Sequence, residues 1–393
     1  MKRWRWLAVV LVTAILVSVG GAVAPVRGQG SIEVLEEEVT IVFPVSVTFT
    51  LSASSTAEIN SVRFAWRAGH DAFQTQVVRV RPASSISVQV PLNAQFLSLP
   101  PFAEIAYRWQ IRDADGNELT TETQVVEYAD TRQNWQELDN EHIRLLWYGL
   151  DEAFAEELFA ISDAAYLRLA DYFGVELEER PAVVVYSDQR SFAEFQVFLL
   201  NVETVVGRYF PGHNITVNLV TPEMEPEMYE TTLAHELSHL YSDNFYVGFA
   251  RLPLWLEEGL ATYNETIKRG DMLALVVHAA EQGFLVPFIG LPTGIRDNSL
   301  AIANLSYAEG ATVFMFIDEQ WGPDAVPEFL DAFRRTTSVD QVTSELFGLT
   351  MPEFELLWRE WLGVPVESVP QLVPTPTIAI PTFPTPTYPA PAN

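Results

Sequence analysis

Thr232-Leu233-Ala234-His235-Glu236-Leu237-Ser238-His239-Leu240 contains the pattern His-Glu-x-x-His. No proline or glycine interrupts the chain from Glu227 to Val247, so the pattern sits in a helical context. Residues four apart share one face of a helix, and the imidazoles of His235 and His239 can therefore reach the same ion. Glu236 stands one step round the helix from His235. A carboxylate there can take a proton from water at a metal without being a ligand itself. The next segment, Arg251-Leu252-Pro253-Leu254-Trp255-Leu256-Glu257-Glu258-Gly259-Leu260-Ala261-Thr262-Tyr263, opens with a proline suited to a helix N-terminus and carries two adjacent carboxylates. Eighteen residues separate His239 from Glu258, room for one helix to end, the chain to reverse and a second helix to return a carboxylate. Two neutral imidazoles and one carboxylate form a three-ligand set with a position left for water, the composition of a catalytic rather than a structural zinc site.

At these residues the sequence resembles the gluzincin peptidases, and within them the peptidase-MA-like bacterial proteins. Their pattern is the His-Glu-x-x-His helix followed by Trp-Leu-x-Glu-Gly-Leu-Ala; His235 to His239 and Trp255-Leu256-Glu257-Glu258-Gly259-Leu260-Ala261 match it over a resemblance that spans roughly residues 138 to 362. The resemblance implies a zincin-like fold, one Zn2+ per chain held by His235, His239 and Glu258, and a peptide or protein as substrate. It selects Glu258 over Glu257 as third ligand and leaves Glu257 to face solvent or support the site. Ser306-Tyr307-Ala308-Glu309-Gly310-Ala311 is similar to the Tyr-x-x-Gly segment that opens a later helix in gluzincin aminopeptidases. By that likeness Tyr307 donates to the oxyanion of the tetrahedral intermediate; read from the residues alone it is equally a helix-start tyrosine packed in the core. In the family an edge strand near Asn214–Val220 aligns the substrate backbone, which implies a place for His213 in lining the cleft. His70, His142 and His278 lie in contexts that suit packed or surface histidines.

The function these features imply is hydrolysis of peptide bonds with Glu236 as general base. The Gly-x-Met-Glu-Asn segment with which gluzincin aminopeptidases capture a substrate amine does not occur, so an endopeptidase is expected rather than an aminopeptidase. The competing reading is a peptidase-like surface protein that binds zinc without catalysis and acts as a binding module. Intact ligands and an intact Glu236 speak against it.

The elements that must position these residues follow from periodicity. Val39–Phe43, Val45–Leu51, Ser61–Arg67, Gln76–Val80, Ser85–Val90, Ile105–Ile111 and Thr123–Tyr128 read as short strands separated by turn signals such as Asp113-Ala114-Asp115-Gly116-Asn117. Seven strands over about a hundred residues suggest an all-β, immunoglobulin-like sandwich over 31–130, with a spacer or accessory role. From Trp135 the pattern changes. His142–Tyr148, Pro181–Tyr186 and Asn214–Val220 read as strands, Phe154–Phe173 and Ser191–Leu200 as helices, and the chain is mainly helical from Glu227 to Trp361. The expected layout is therefore an α+β catalytic domain over 135–363 preceded by the sandwich.

The two ends are different in kind. Cationic residues before an uncharged stretch from Leu7 to about Val26 form a signal peptide or an uncleaved anchor within residues 1–28, and either places the protein outside the cytoplasm, extracellular or at the cell surface. Residues 364–393 are a Pro/Thr-rich tail that can form neither helix nor paired strand. The chain of 393 residues carries 23 Lys+Arg against 52 Asp+Glu, a net charge of −29 that excludes nucleic acid as a partner and limits membrane association to the N-terminal anchor. With no cysteine, disulfides, thiolate catalysis and Cys-type zinc sites are excluded, and any metal must be held by histidine and carboxylate.

Overall fold

The computed structural model describes residues 32–194, 206–246, 251–265, 269–291 and 300–364. The N-terminal segment, the Pro/Thr-rich tail and the second half of the expected 191–200 helix lie outside them.

The first layer is antiparallel: β1 (Glu33–Val42), β2 (Ser46–Ala68), β3 (Gln74–Val78), β4 (Ala83–Asn93), β5 (Ala103–Asp113), β6 (Glu118–Thr120) and β7 (Gln124–Tyr128). Two expected strands, Val45–Leu51 and Ser61–Arg67, prove to be one 23-residue strand, β2. Nothing between them forces a turn: Ser52 to Glu58 are small or polar residues without glycine or proline, and they stay extended. The first half of β2 pairs with β1 and β4; after a register shift between Ser54 and Ile59 the second half pairs with β3 and β5. One strand thus serves both leaves of a sandwich. Phe49, from the first half, lies 4.9 Å from Phe64 in the second and 4.7 Å from Tyr107 of β5, centroid to centroid, so the leaves face each other across an aromatic core.

Beyond it come β8 (Gln136–Asp139), β9 (Arg144–Trp147), α1 (Glu152–Phe173), β10 (Ala182–Tyr186), α2 (Gln189–Glu194), β11 (Gly207–Phe210), β12 (Ile215–Leu219) and α3 (Pro226–Phe245). The five strands form a mixed sheet in the order β11-β12-β10-β9-β8, parallel at its centre and antiparallel at both edges. β6, β8 and β11 have no counterpart in the sequence reading; each has only three or four residues, too short for an alternation to show. α1 starts on Asp151, whose side chain accepts from the Phe154 N–H, and ends at Gly174 in the left-handed conformation, as its sequence anticipates.

All five residues of β10 are buried, as a strand covered on both faces requires. Val183 and Val185 point into the helical core with Leu158 and Leu233; Ala182, Val184 and Tyr186 point into the sandwich core with Phe102 and Trp109. The sandwich is therefore the second cover of the β8–β12 sheet, a structural part that the expected spacer or accessory role does not include. Trp135 cements the joint, edge-on to Phe102, Tyr148 and Tyr186.

The helical remainder consists of α4 (Leu254–Asn264), α5 (Arg269–Glu281), α6 (Leu300–Trp321), α7 (Ala325–Ala332), α8 (Val339–Phe347) and α9 (Met351–Trp361). α4 and α6 cross in near backbone contact. A Cβ on Gly259 would lie 2.6 Å from Gly310 Cα, and one on Gly310 would lie 2.3 Å from the Trp255 carbonyl oxygen. Glycine at both positions is thus a packing requirement, and it brings α6 close to the face of α4 that carries Glu258.

On the far side of α6, Glu309 is fully buried; one carboxyl oxygen accepts from the Val286 N–H at 3.0 Å and the other has no partner among the described residues. Burial pushes its pKa up to about 8, with Glu355 adding to the shift and the Val286 N–H and Arg359 opposing it. Unfolded, the group ionises near 4.5, so the folded protein holds a proton that the unfolded chain has released. The contribution of this group to stability therefore falls as pH rises from about 4.5 to about 8. Glu309→Gln removes this loss, and its unfolding free energy relative to the parent should rise across that window by a few kcal/mol, on the order set by the shift, in urea titrations at pH 5 and pH 8.

Candidate active site

α3 begins with Pro226 at its first position and is buried nearly all round in its middle, with Leu233, Leu237 and Tyr241 fully enclosed by the helical core. That burial anchors the opposite face, from which His235, Glu236 and His239 project. α4, capped at Pro253, lies across α3 and is tied to it by Asn264, whose Nδ2 donates to Ser238 Oγ at 3.0 Å.

The three side chains singled out as metal ligands converge. Their ligand atoms all lie within 4.8 Å of one another. Nε2 of His235 and Nε2 of His239 are 3.1 Å apart, and Glu258 Oε2 is 3.4 Å from each. Four-coordinate zinc with bonds of about 2.0–2.1 Å sets its ligand atoms about 3.3 Å apart. The triangle therefore has the size of a tetrahedral zinc face, with no side chain needing to move.

Each imidazole is held from behind. His235 Nδ1 lies 2.7 Å from Glu265 Oε1, and His239 Nδ1 lies 3.3 Å from Glu257 Oε1. The other Glu257 oxygen accepts from Ser242 Oγ at 2.8 Å. A proton kept on Nδ1 by a carboxylate leaves the Nε2 lone pair free for a metal. Glu257 is thus a supporting residue, one of the two roles its sequence context allowed. Glu265 was not foreseen. It follows Glu258 by seven residues, at the C-terminal cap of α4, and that near two-turn spacing is the available signal. Glu265→Gln should weaken zinc binding roughly 10- to 100-fold, read by competition with a chromogenic chelator, while the circular dichroism spectrum stays that of the parent.

The electrostatics favour a dication. Four carboxylates (Glu236, Glu257, Glu258 and Glu265) surround two imidazoles. Burial opposes ionisation of Glu258, but His235 and His239 outweigh it and hold its carboxyl well below the usual carboxylate range. Burial likewise opposes a charge on His239, and the Glu257 and Glu258 carboxylates reverse this, pushing its pKa up to about 9. In Glu236 burial dominates and raises the pKa, with Glu258 adding to the shift, against the two imidazoles and the Tyr209 backbone N–H that it accepts. A carboxyl raised in this way is a better proton acceptor than an ordinary carboxylate.

β11 closes the site on one side. Gly207 faces Glu236: a Cβ there would lie 2.8 Å from both Glu236 Cγ and Oε1, so only glycine leaves the carboxylate its place. Two residues on, the Tyr209 ring stacks on His239 with centroids 5.0 Å apart. Neither residue was anticipated, because β11 itself was not.

Tyr307 is half-buried and stands two turns inside α6, not at a helix start as its sequence likeness suggested; α6 begins at Leu300. Its hydroxyl hydrogen-bonds Glu258. Burial, Glu258 and the nearby Glu236 push its pKa up to about 12. It is brought to the metal-ligand cluster, which a purely core-packed tyrosine would not be.

His213 is not brought there. It sits in the turn between β11 and β12, against Gly69 and His70 of the sandwich, in a cavity of about 380 Å³ whose walls include none of His235, Glu236, His239 or Glu258. The strand next to the site is β11, and the turn carries His213 away from it. Of the other histidines, His142 pairs with Asp163 at 2.9 Å, His70 with Glu179 at 2.8 Å, and His278 is exposed.

The model of the Peptidase MA superfamily matches residues 161–364, a span that holds all the residues of this site, and the chain belongs to that superfamily. It is therefore a metallopeptidase by family. Among solved structures it is similar to LTA4 hydrolase from yeast, at 10% identity and a TM-score of 0.38, covering 80% of this chain and 64% of that one. It is also similar to the M1 zinc metallopeptidase from Deinococcus radiodurans, at 15% identity and a TM-score of 0.37, covering 86% and 91% of the two chains. No curated protein sequence matches it.

Proposed function

We propose that this chain is an exported zinc endopeptidase, with the ion held by His235, His239 and Glu258, one per chain. The observation that carries this reading is the triangle of ligand atoms 3.1–3.4 Å apart, with the buried Glu236 carboxyl beside it. Zinc bound there supplies a Lewis acid that polarises a carbonyl and makes water a nucleophile at neutral pH.

The protein's own groups supply the rest. Glu236 takes a proton from the attacking water and passes it to the leaving amine. Burial raises its pKa, which makes it a better base for the first half of that transfer. Tyr307, next to Glu258, donates a hydrogen bond from its hydroxyl to the developing oxyanion and keeps its proton. Glu257 and Glu265 keep the two imidazoles in the ligating tautomer. β11, an edge strand with one side unpaired among the described residues, aligns an extended substrate backbone by strand addition. That role passes from the neighbourhood of His213 to Gly207–Phe210.

Endopeptidase action is supported by the lack of a Gly-x-Met-Glu-Asn amine-capture segment. N-terminally acetylated peptides decide it. An endopeptidase cuts them internally at rates near those of the free-amine forms. Trimming of free-amine peptides one residue at a time, with acetylated ones untouched, would make the protein an aminopeptidase instead.

A further inference from the structure

We propose that the outward face of the sandwich leaf formed by β2 and β5 is a docking surface for an extended acidic peptide, a substrate segment lying outside the reacting centre; this rests on the peptidase reading above. The face carries a ladder of arginines. Val62, Phe64 and Trp66 of β2 and Tyr107, Trp109 and Ile111 of β5 are buried, so the residues between them point outward. The register pairs Ser61 with Arg112, Arg63 with Gln110, Ala65 with Arg108 and Arg67 with Ala106. Each of four successive rows therefore holds one arginine, alternating between the strands, over a length of roughly 20 Å.

These cations are unspent. Among the described residues Arg63, Arg67 and Arg108 have no carboxylate partner, and Arg112 has only an exposed contact with Glu118 at 3.6 Å. Nε of Arg67 and Nε of Arg108 are likewise buried without an acceptor among those residues. Phe73 holds both guanidinium groups, 5.6 and 4.7 Å from its ring centroid, so they are pre-set and not free to wander. Acidic residues border the ladder: Glu118 lies beside Arg112, exposed Glu122 lies between β6 and β7, and Glu104, Glu179 and Glu127 line the cavity beyond Arg67, the last bonded to Arg144. In a protein with a net charge of −29 such a stripe stands out as the place where an anion can approach.

Two features select a peptide over another polyanion. An extended peptide presents same-side groups about every 6.8 Å, the spacing of the ladder's rows, so acidic residues at alternate positions meet the arginines in register. The ladder also leads to the catalytic unit. Arg67 lines the 380 Å³ cavity shared with His213, and there His70 N–H donates to the carbonyl of Gly212, two residues after β11 ends. A substrate aligned on β11 has this surface in its path.

Fluorescence anisotropy with labelled peptides at low salt tests the proposal. The first probe is an octapeptide in which glutamate and threonine alternate. The second has glutamine in place of every glutamate. The third is an isomer of the first, with all its glutamates in one block and all its threonines in another. A polyuronate oligosaccharide serves as the other class of anion. The alternating acidic peptide should bind at least about tenfold more tightly than the other three, and a salt concentration of about 0.5 M NaCl should abolish the difference. R63E/R108E should lose that binding about tenfold or more, R63K/R108K should lose part of it, and both should cleave a neutral peptide like the parent. Equal binding by parent and R63E/R108E, or preference for the oligosaccharide, would overturn it. The binding readout needs no turnover, so failure of the protein to cleave any peptide would count against the peptidase reading alone.

Discussion

Glu236→Gln should leave zinc content at one ion per chain and lower kcat by on the order of 10²–10⁴-fold. The carboxyl lies in a pocket shaped for it, between α3 and Gly207 of β11, and it accepts the Tyr209 backbone N–H. An amide has nearly the same shape and fills the same space. What it cannot do is accept a proton from water and return it to an amine. KM should therefore change little, and the loss should appear in kcat. Parent-like turnover in this variant would remove Glu236 from the chemistry. Loss of zinc as well as turnover would show that the carboxylate shapes the metal site, a different role from that of a general base.

Tyr307→Phe carries the second large effect. The substitution removes one hydroxyl from a residue that is half-buried and leaves the ring packing of α6 intact. A donor to a developing oxyanion is worth about 10²–10³ in kcat, and it acts after substrate has bound, so KM should stay near its parent value. The hydroxyl also touches Glu258, which gives the experiment an internal control. Zinc affinity measured against a chelator should shift by much less than kcat. Equal losses in both would mean that Tyr307 serves the ligand and not the transition state.

How much of this site could be read in the sequence depended on distance along the chain. His235, Glu236 and His239 lie within five positions of one helix, so local periodicity is enough to bring those three together; the carboxylate on the next helix is legible only as Glu257 or Glu258, and the family resemblance chooses Glu258. Glu257 was legible as either solvent-facing or supporting, and contact with His239 decides it. Gly207 and Tyr209 were out of reach. Their four-residue strand carries no alternation, and their meaning comes only from packing on α3. His213 was misplaced for the same reason. The sequence shows β12 as the strand nearest the cleft and so implies that its leading residue lines it. The sandwich shows a similar limit. Its strands were readable from alternating apolar residues, but its shared core with β10 is a through-space fact. The arginine ladder is likewise invisible until the β2–β5 register is known. Gly259 and Gly310 matched the sequence patterns of a family, while the reason for them is the close crossing of two helices.

The central claim is that three side chains hold one zinc ion on which peptide hydrolysis depends. Removing the metal with a chelator, then titrating zinc back while following cleavage of a peptide library, tests it most directly. The expected result is loss of cleavage on chelation and recovery in proportion to zinc, reaching a plateau at one equivalent per chain, with no recovery in Glu258→Ala. Cleavage that survives chelation, or a fully zinc-loaded protein that cuts no peptide, would contradict it.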